Sequence, residues 1–351
     1  MQIKNKDRKN DLDFLRALAI IAVVVIHSIA PVVRQKPIGS TSWIVANIID
    51  SFMRWGVPIF VMISGALLIK KENFYNSKNF FKKRFKKILI PLLSWPVIYV
   101  AWWKIFFMDK SLDFVDFVKQ LLSGKPAFGY QLYFLFIILG LYLLTPLLSL
   151  YVSSVTKRRL WIATLAILSI TTAHYSLEYF IFGRIPRLNL FTLCLPYVGY
   201  FLLGYTLKDI KIKSYTIPTI LFFLASSLIT LLTYFGIKNN QTLFFYEYPS
   251  IFVIIASATL YVLFKNVYTY RKRVIPKKLL YLFDGIVQSL SLSSFGIFLV
   301  HMIVLKSVIR LFDLDAASIV NAIIIAPVVL ILSWVFTILV KKIPKINLLV
   351  G

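Results

Sequence analysis

The chain is built from apolar runs of roughly twenty residues separated by short polar connections, and about ten such runs can be drawn. They cover 12–33, 46–69, 88–108, 130–151, 160–175, 189–207, 215–236, 249–265, 286–309 and 318–340. An apolar helix of that length spans a hydrocarbon layer about 30 Å thick. In lipid every backbone N–H and C=O needs a partner, which a helix supplies from within and an open strand does not. The pattern therefore predicts an all-α polytopic integral membrane protein with about ten transmembrane helices, forming a single integral domain over 1–351. A charged segment precedes the first run and further runs follow it, so it is expected to be a retained helix rather than a cleaved signal. Composition agrees: 59% of the residues are hydrophobic and 15% charged, against about a quarter charged in soluble domains.

Charge orients this pattern. The net charge of +26 would also suit nucleic acid, but the cations gather in alternate short loops, as the positive-inside rule requires. No nucleic acid partner is expected. The loops that alternation places with the N-terminus read KNKDRK, KKENFYNSKNFFKKRFKK, TKRR, KDIKIK, YRKRVIPKK and KKIPK. The intervening loops hold only Arg34 and Lys36; Lys110, Lys119 and Lys125; Arg184 and Arg187; Lys238; and Arg310. This asymmetry predicts an even number of spans with both termini cytoplasmic, in a cell membrane of the bacterial inner or plasma type. Cys194 is the only cysteine, so no intrachain disulfide and no zinc cluster is expected. His27, His174 and His301 are scattered along the chain, and no metal site is read from them.

The first run, DFLRALAIIAVVVIHS from Asp13 to Ser28, carries an arginine near one end and a histidine near the other. An ionisable group inside a membrane helix is a functional-site hypothesis by default, because desolvating it is costly. Arg16 and His27 are eleven residues apart. At about 100° per residue this is three turns plus roughly 20°, so both lie on one face, roughly 16 Å apart along the axis. In the expected topology Arg16 is near the inner surface and His27 in the outer half. That arrangement suits a substrate that reaches across much of the membrane, such as an activated acyl thioester. Its phosphates would rest on cytoplasmic cations and its arm would carry the acyl group to His27. A neutral imidazole there would take the proton from an attacking hydroxyl. The alternative is a histidine that satisfies the carbonyl of a neighbouring helix.

Other polar groups join this set. Asp50 and Arg54 stand at i, i+4, the spacing of a helical ion pair. Arg54 sits at the depth of His27, where it would stabilise an oxyanion or orient an acceptor, or simply neutralise Asp50. Ser64 and Gly65 permit close approach of two helices. NFFKKRFKKILIP holds Lys83, Arg84 and Lys87. These suit phosphates, and equally a topogenic cluster or an anchor for anionic membrane lipid. Ser294 and His301, seven residues apart, share a face of the ninth run. SLDFVDFVKQLLSG reads as a short amphipathic helix with a Ser cap. HYSLEYFIFGRIPRLN and NNQTLFFYEYPS mix aromatics with Glu178 and Glu247, a mixture that grips a sugar or marks an interfacial aromatic belt.

Together these pieces resemble the acyltransferase family 3 membrane proteins. The resemblance rests on RALAIIAVVVIH from Arg16 to His27, then GVPIFVMISGALL, FKKRFKKILIP, YQLYFLFIILGLYLLTPL, GYFLLGYTL and SFGIFLVH. It covers nearly the whole chain. Within the family the chain is most similar to stand-alone enzymes that O-acetylate surface polysaccharides, of the enterobacterial common antigen O-acetyltransferase type. The resemblance implies transfer of an acyl group, acetyl by that likeness, from cytoplasmic acyl-CoA to a hydroxyl of a lipid-linked or growing glycan. His27 would be general base or transient acyl carrier and, with Arg16, catalytic. Arg16, Lys83, Arg84 and Lys87 would hold acetyl-CoA, with Asp13, Asp50, Arg54, Ser64 and His301 in support. A homo-oligomer is compatible with this reading. Two departures stand out. The fourth run opens Gln131-Leu132-Tyr133 where the family usually has His-Leu-Trp, and Phe295 and Phe298 stand where tyrosines are common. The competing function is a transporter or exporter of a glycan or its precursor. Transporters often show repeated halves, and no internal repeat is visible here.

Overall fold

The computed structural model describes residues 10–108, 115–116, 118–119, 129–186, 188–189, 192–240, 243–271 and 276–351. The N-terminal cations, most of the expected amphipathic segment at 111–124, Lys110, Lys125 and Arg187 lie outside them. Every regular element among the described residues is helical. The α-helices are α1 (Asn10–Gln35), α2 (Thr41–Met53), α3 (Gly56–Leu68), α4 (Lys71–Tyr75), α5 (Ser77–Phe107) and α6 (Tyr133–Ser154). They continue with α7 (Lys157–Phe182), α8 (Leu195–Leu207), α9 (Thr216–Asn240), α10 (Ile251–Arg271), α11 (Lys277–Leu311) and α12 (Ile319–Lys341).

Among the described residues, nine helical stretches are long and apolar enough to cross a membrane, α2 and α3 counting together as Thr41–Leu68. The expected run at 189–207 differs. Among its described residues it is helical over the thirteen of α8, about 20 Å at 1.5 Å per residue, which is short of a bilayer core. The basic stretch before the third run also differs. It is no loop but the first turns of α5, a 31-residue helix, so its cations are held on a rigid rod.

α1 forms the axis of the bundle, packing against α2, α3, α10, α11 and α12. Leu15, Ala19, Ile20 and Ala22 are fully buried in it. Small residues bring α3 and α8 together. A Cβ built on Gly65 would collide with the backbone of Phe201, and one on Gly204 with the backbone of Met62. In lipid, helices associate through such close packing rather than through a hydrophobic drive. Exposed apolar side chains cover α9 and α12, among them Ile217, Phe223, Leu231, Val320, Ile324 and Leu332, as lipid contact requires. The chain beyond α12 returns to α5, where Trp95 Nε1 donates to the carbonyl of Leu349 at 2.8 Å.

The second expected run breaks at Arg54 and Trp55, between α2 and α3. Pro58 explains the break: it has no N–H to give the carbonyl of Arg54 and its ring crowds that group. The break leaves Arg54 at the end of α2, where its Nη2 meets Asp50 Oδ1 at 2.6 Å. Asp50 is 1% exposed. The guanidinium lies 3.9 Å above the ring of Tyr246, whose hydroxyl donates to Asn47 Oδ1 at 2.5 Å. Asn47 Nδ2 in turn donates to the carbonyl of Thr230 on α9 at 3.0 Å.

Two outcomes test this packing. Gly65→Ala and Gly204→Ala are expected to lower stability by about 1–3 kcal/mol, because backbone atoms cannot move aside. Gly285→Ala, with open space around it, serves as the neutral control in the same detergent melting series. Asp50→Leu strands a buried guanidinium and is expected to cost about 3–5 kcal/mol. Asp50→Leu with Arg54→Leu is expected to recover most of that loss. A double variant no more stable than Asp50→Leu alone would remove the ion pair from the account.

Candidate functional site

Two cavities lie beside α1, and a third space on α5 adjoins one of them. The first, about 650 Å3, opens beside its C-terminal half and is lined by His27, Arg34, Arg54, Gln131, Glu247 and a group of tyrosines. These are Tyr133 on α6, Tyr175 on α7, Tyr197 on α8, and Tyr246 and Tyr248 before α10. His27 thus faces a protein-lined space rather than lipid. The two aromatic segments singled out in the sequence deliver Tyr175, Tyr246, Glu247 and Tyr248 to it. His174 is exposed on the far side of its helix, and Glu178 pairs with Arg184 at 2.8 Å outside the cavity.

His301 on α11 stands behind His27, with the ring centroids 5.0 Å apart. It is fully buried. Its Nδ1 lies 3.1 Å from the carbonyl oxygen of Ile297. A carbonyl only accepts, so Nδ1 carries the proton and Nε2 presents its lone pair. That Nε2 has no hydrogen-bond partner among the described residues. Tyr99 is placed nearby by its donation to the carbonyl of Leu299 at 2.9 Å, and it accepts from Nε2 of Gln131. The glutamine at the opening of the fourth run is therefore a wall of the His27 cavity, held by a neighbouring phenol.

The second cavity, about 310 Å3, lies beside the N-terminal half of α1 and is lined by Arg16, Ser64, Arg84, Lys87, Ser294 and Lys341. Arg16 is oriented by a small network. Its Nη1 donates to Asp13 Oδ1 at 3.3 Å and to Ser291 Oγ at 3.2 Å, and Ser291 Oγ donates to Asp13 Oδ1 at 2.6 Å. A carboxylate one turn earlier and a serine on α11 thus hold the guanidinium at the cavity wall. The third space, a groove of about 540 Å3, is lined by Asn79, Lys82, Lys83, Lys86 and Lys87 of α5 with Leu348 and Gly351. Lys87 and Gly351 belong to both the groove and the second cavity.

The structure therefore gathers Arg16, Ser64, Arg84 and Lys87 around one space, with Lys83 in the adjoining groove. It gathers His27 and Arg54 around another, with His301 and Asp50 behind. Arg16 and His27 share a helix face and line different cavities. Sequence reasoning missed Ser291, Tyr197 and Lys341, and named Tyr133 only as a departure from the family's usual order. It read Arg34 only as a loop cation, although seven residues after His27 is the same helix face, a signal that points to the shared cavity.

The chain matches the acyltransferase 3 family, described as an acyltransferase domain, over residues 9–338. No curated protein and no solved structure is matched. The family match spans nearly the whole helical bundle, including His27, His301 and the cationic end of α5. The chain belongs to the acyltransferase 3 family and is a membrane acyltransferase.

Proposed function

We propose that this protein moves an acyl group, acetyl by its sequence likeness, from acyl-CoA to a hydroxyl of a cell-envelope or exopolysaccharide glycan. The observation that carries this reading is the succession of spaces: a lysine groove, an Arg16 cavity and a His27 cavity, each sharing lining residues with the next. Coenzyme A is an extended molecule with phosphates at one end and a thioester at the other. Lys82, Lys83 and Lys86 suit its nucleotide phosphate. Arg84, Lys87 and Arg16 suit the pyrophosphate and the arm, with arginine able to give paired hydrogen bonds. The thioester then points along α1 toward His27. The asymmetry of the loop charges supports a cytoplasmic position for the lysine groove, the side of a bacterial plasma membrane on which acyl-CoA is found.

The tyrosine-rich cavity suits a saccharide, whose faces rest on aromatic rings while its hydroxyls find phenols and Glu247. His27 lines that cavity and acts as general base. It takes the proton of the acceptor hydroxyl as the oxygen attacks the thioester carbonyl, and the new ester forms as the carbon–sulfur bond breaks. The departing thiolate takes the proton back, leaving free CoA. Arg54, set at the same cavity, orients the acceptor or meets charge on the carbonyl oxygen. His301, with its lone pair on the nitrogen away from Ile297, backs the reacting imidazole as a positioning residue.

Protein in lipid nanodiscs, given acetyl-CoA and an envelope glycan fraction, is expected to release free CoA and to add one acetyl mass to the glycan. His27→Ala is expected to lower release by about 10²–10⁴-fold, the usual contribution of a general base, with its melting temperature retained. Full turnover in a folded His27→Ala protein would remove the base assignment. Arg16→Ala is expected to raise KM for acyl-CoA more than it lowers kcat. An unchanged KM would take Arg16 out of the donor site.

A further inference from the structure

The Arg16 cavity and the His27 cavity meet at two residues common to both, Phe134 of α6 and Phe298 of α11. Their rings stand edge to face, with centroids 5.3 Å apart and planes at 60°. Both side chains are nearly buried, at 8% and 6% exposure. The helices alternate their allegiance around this pair. On α6, Ile137 faces the His27 cavity and Ile138 the Arg16 cavity. On α11, Ser291, Ser294 and Phe295 line the Arg16 side, and Phe298 is the first residue of that helix to reach the other. The ring of Phe298 also lies 6.1 Å from that of His301, which stands beside His27.

We propose that Phe134 and Phe298 form an aromatic partition between the donor and acceptor cavities, and that it selects short acyl groups and keeps acceptor-side water from the thioester. The inference rests on the acyltransfer reading for its substrate. Its geometry stands on the shared walls alone. Aromatic rings are large and rigid, with two side-chain torsions each, and an edge-to-face pair has a defined mutual position. A small acyl group passes such a pair when one ring turns about its second torsion. A longer chain has to displace both rings against a packed core, where neighbours yield little. The same wall serves against hydrolysis. The acceptor side is rich in phenols, Arg34, Arg54 and Glu247 and holds water readily, and the pair places apolar ring between that water and the thioester until an acceptor arrives.

Two measurements test the partition. The first is free CoA release from acetyl-, butyryl-, hexanoyl- and octanoyl-CoA, with and without acceptor. Phe298→Ala and Phe134→Ala are expected to shift the preferred chain from acetyl to butyryl or hexanoyl. They are also expected to raise acceptor-independent release at least tenfold. The second needs no activity. In a Cys194→Ser background, Ser64→Cys places a thiol on the Arg16 cavity. A membrane-impermeant thiol reagent is then applied from the side on which an Arg34→Cys control is labelled. Ser64→Cys is expected to stay unlabelled from that side with both phenylalanines present, and to be labelled at least tenfold faster with Phe298→Ala or Phe134→Ala. Phe298→Leu supplies a milder opening if the alanine variants fail to fold. Equal labelling with and without the rings, or an unchanged chain-length profile in active variants, overturns the partition. If the unaltered protein releases no CoA from any of the four donors, the acyltransfer reading falls, and the labelling still decides whether the wall exists.

Discussion

Desolvation governs this molecule. Two arginines, two aspartates and two imidazoles sit within helices that cross an apolar layer, and none can face lipid without a large penalty. The bundle meets that constraint by placing α1 on its axis, covered by five other helices, and by pairing what it buries. Asp50 holds Arg54, which lies on the ring of Tyr246. Asp13 and Ser291 hold Arg16. The carbonyl of Ile297 accepts a hydrogen bond from Nδ1 of His301. With these charges compensated, the polar walls that remain can be turned toward cavities.

The same constraint divides the interior in two. At the Arg16 end the walls are cationic and α5 carries a row of lysines; at the His27 end they are phenolic with a carboxylate among them. Phe134 and Phe298, edge to face, are walls common to both spaces. Under the proposed reaction, the cationic end suits a phosphate-bearing donor and the phenolic end a hydroxyl-bearing acceptor.

Several features were legible in the chain because helix periodicity converts spacing into position. Arg16 and His27 on one face, Asp50 beside Arg54, and Ser294 and His301 on one stripe all follow from residues per turn. Gly65 announced a close helix contact, and Phe201 is what it meets. Other features were hidden for reasons equally physical. The cations around Arg84 read as a loop because charge marks membrane surfaces, yet aliphatic and aromatic residues between them continue the helix to Phe107. Pro58 was visible, but whether a proline bends a span or ends one depends on the neighbours that accept the freed carbonyl. The run at 189–207 was apolar enough to cross, and among its described residues the last thirteen are helix.

The sequence by itself determined that this chain lives in a membrane as helices, which helix carries the imidazole and the guanidinium, and which family it joins. Those properties depend on local periodicity and on residue order, both written along one dimension. Only the tertiary structure decided that Arg16 and His27 open onto different cavities, that His301 comes to stand behind His27, and that two phenylalanines from helices far apart in the chain meet between the cavities. Those depend on which helices become neighbours, a choice made by the fit of small residues such as Gly65 and Gly204 across interfaces that no single segment contains.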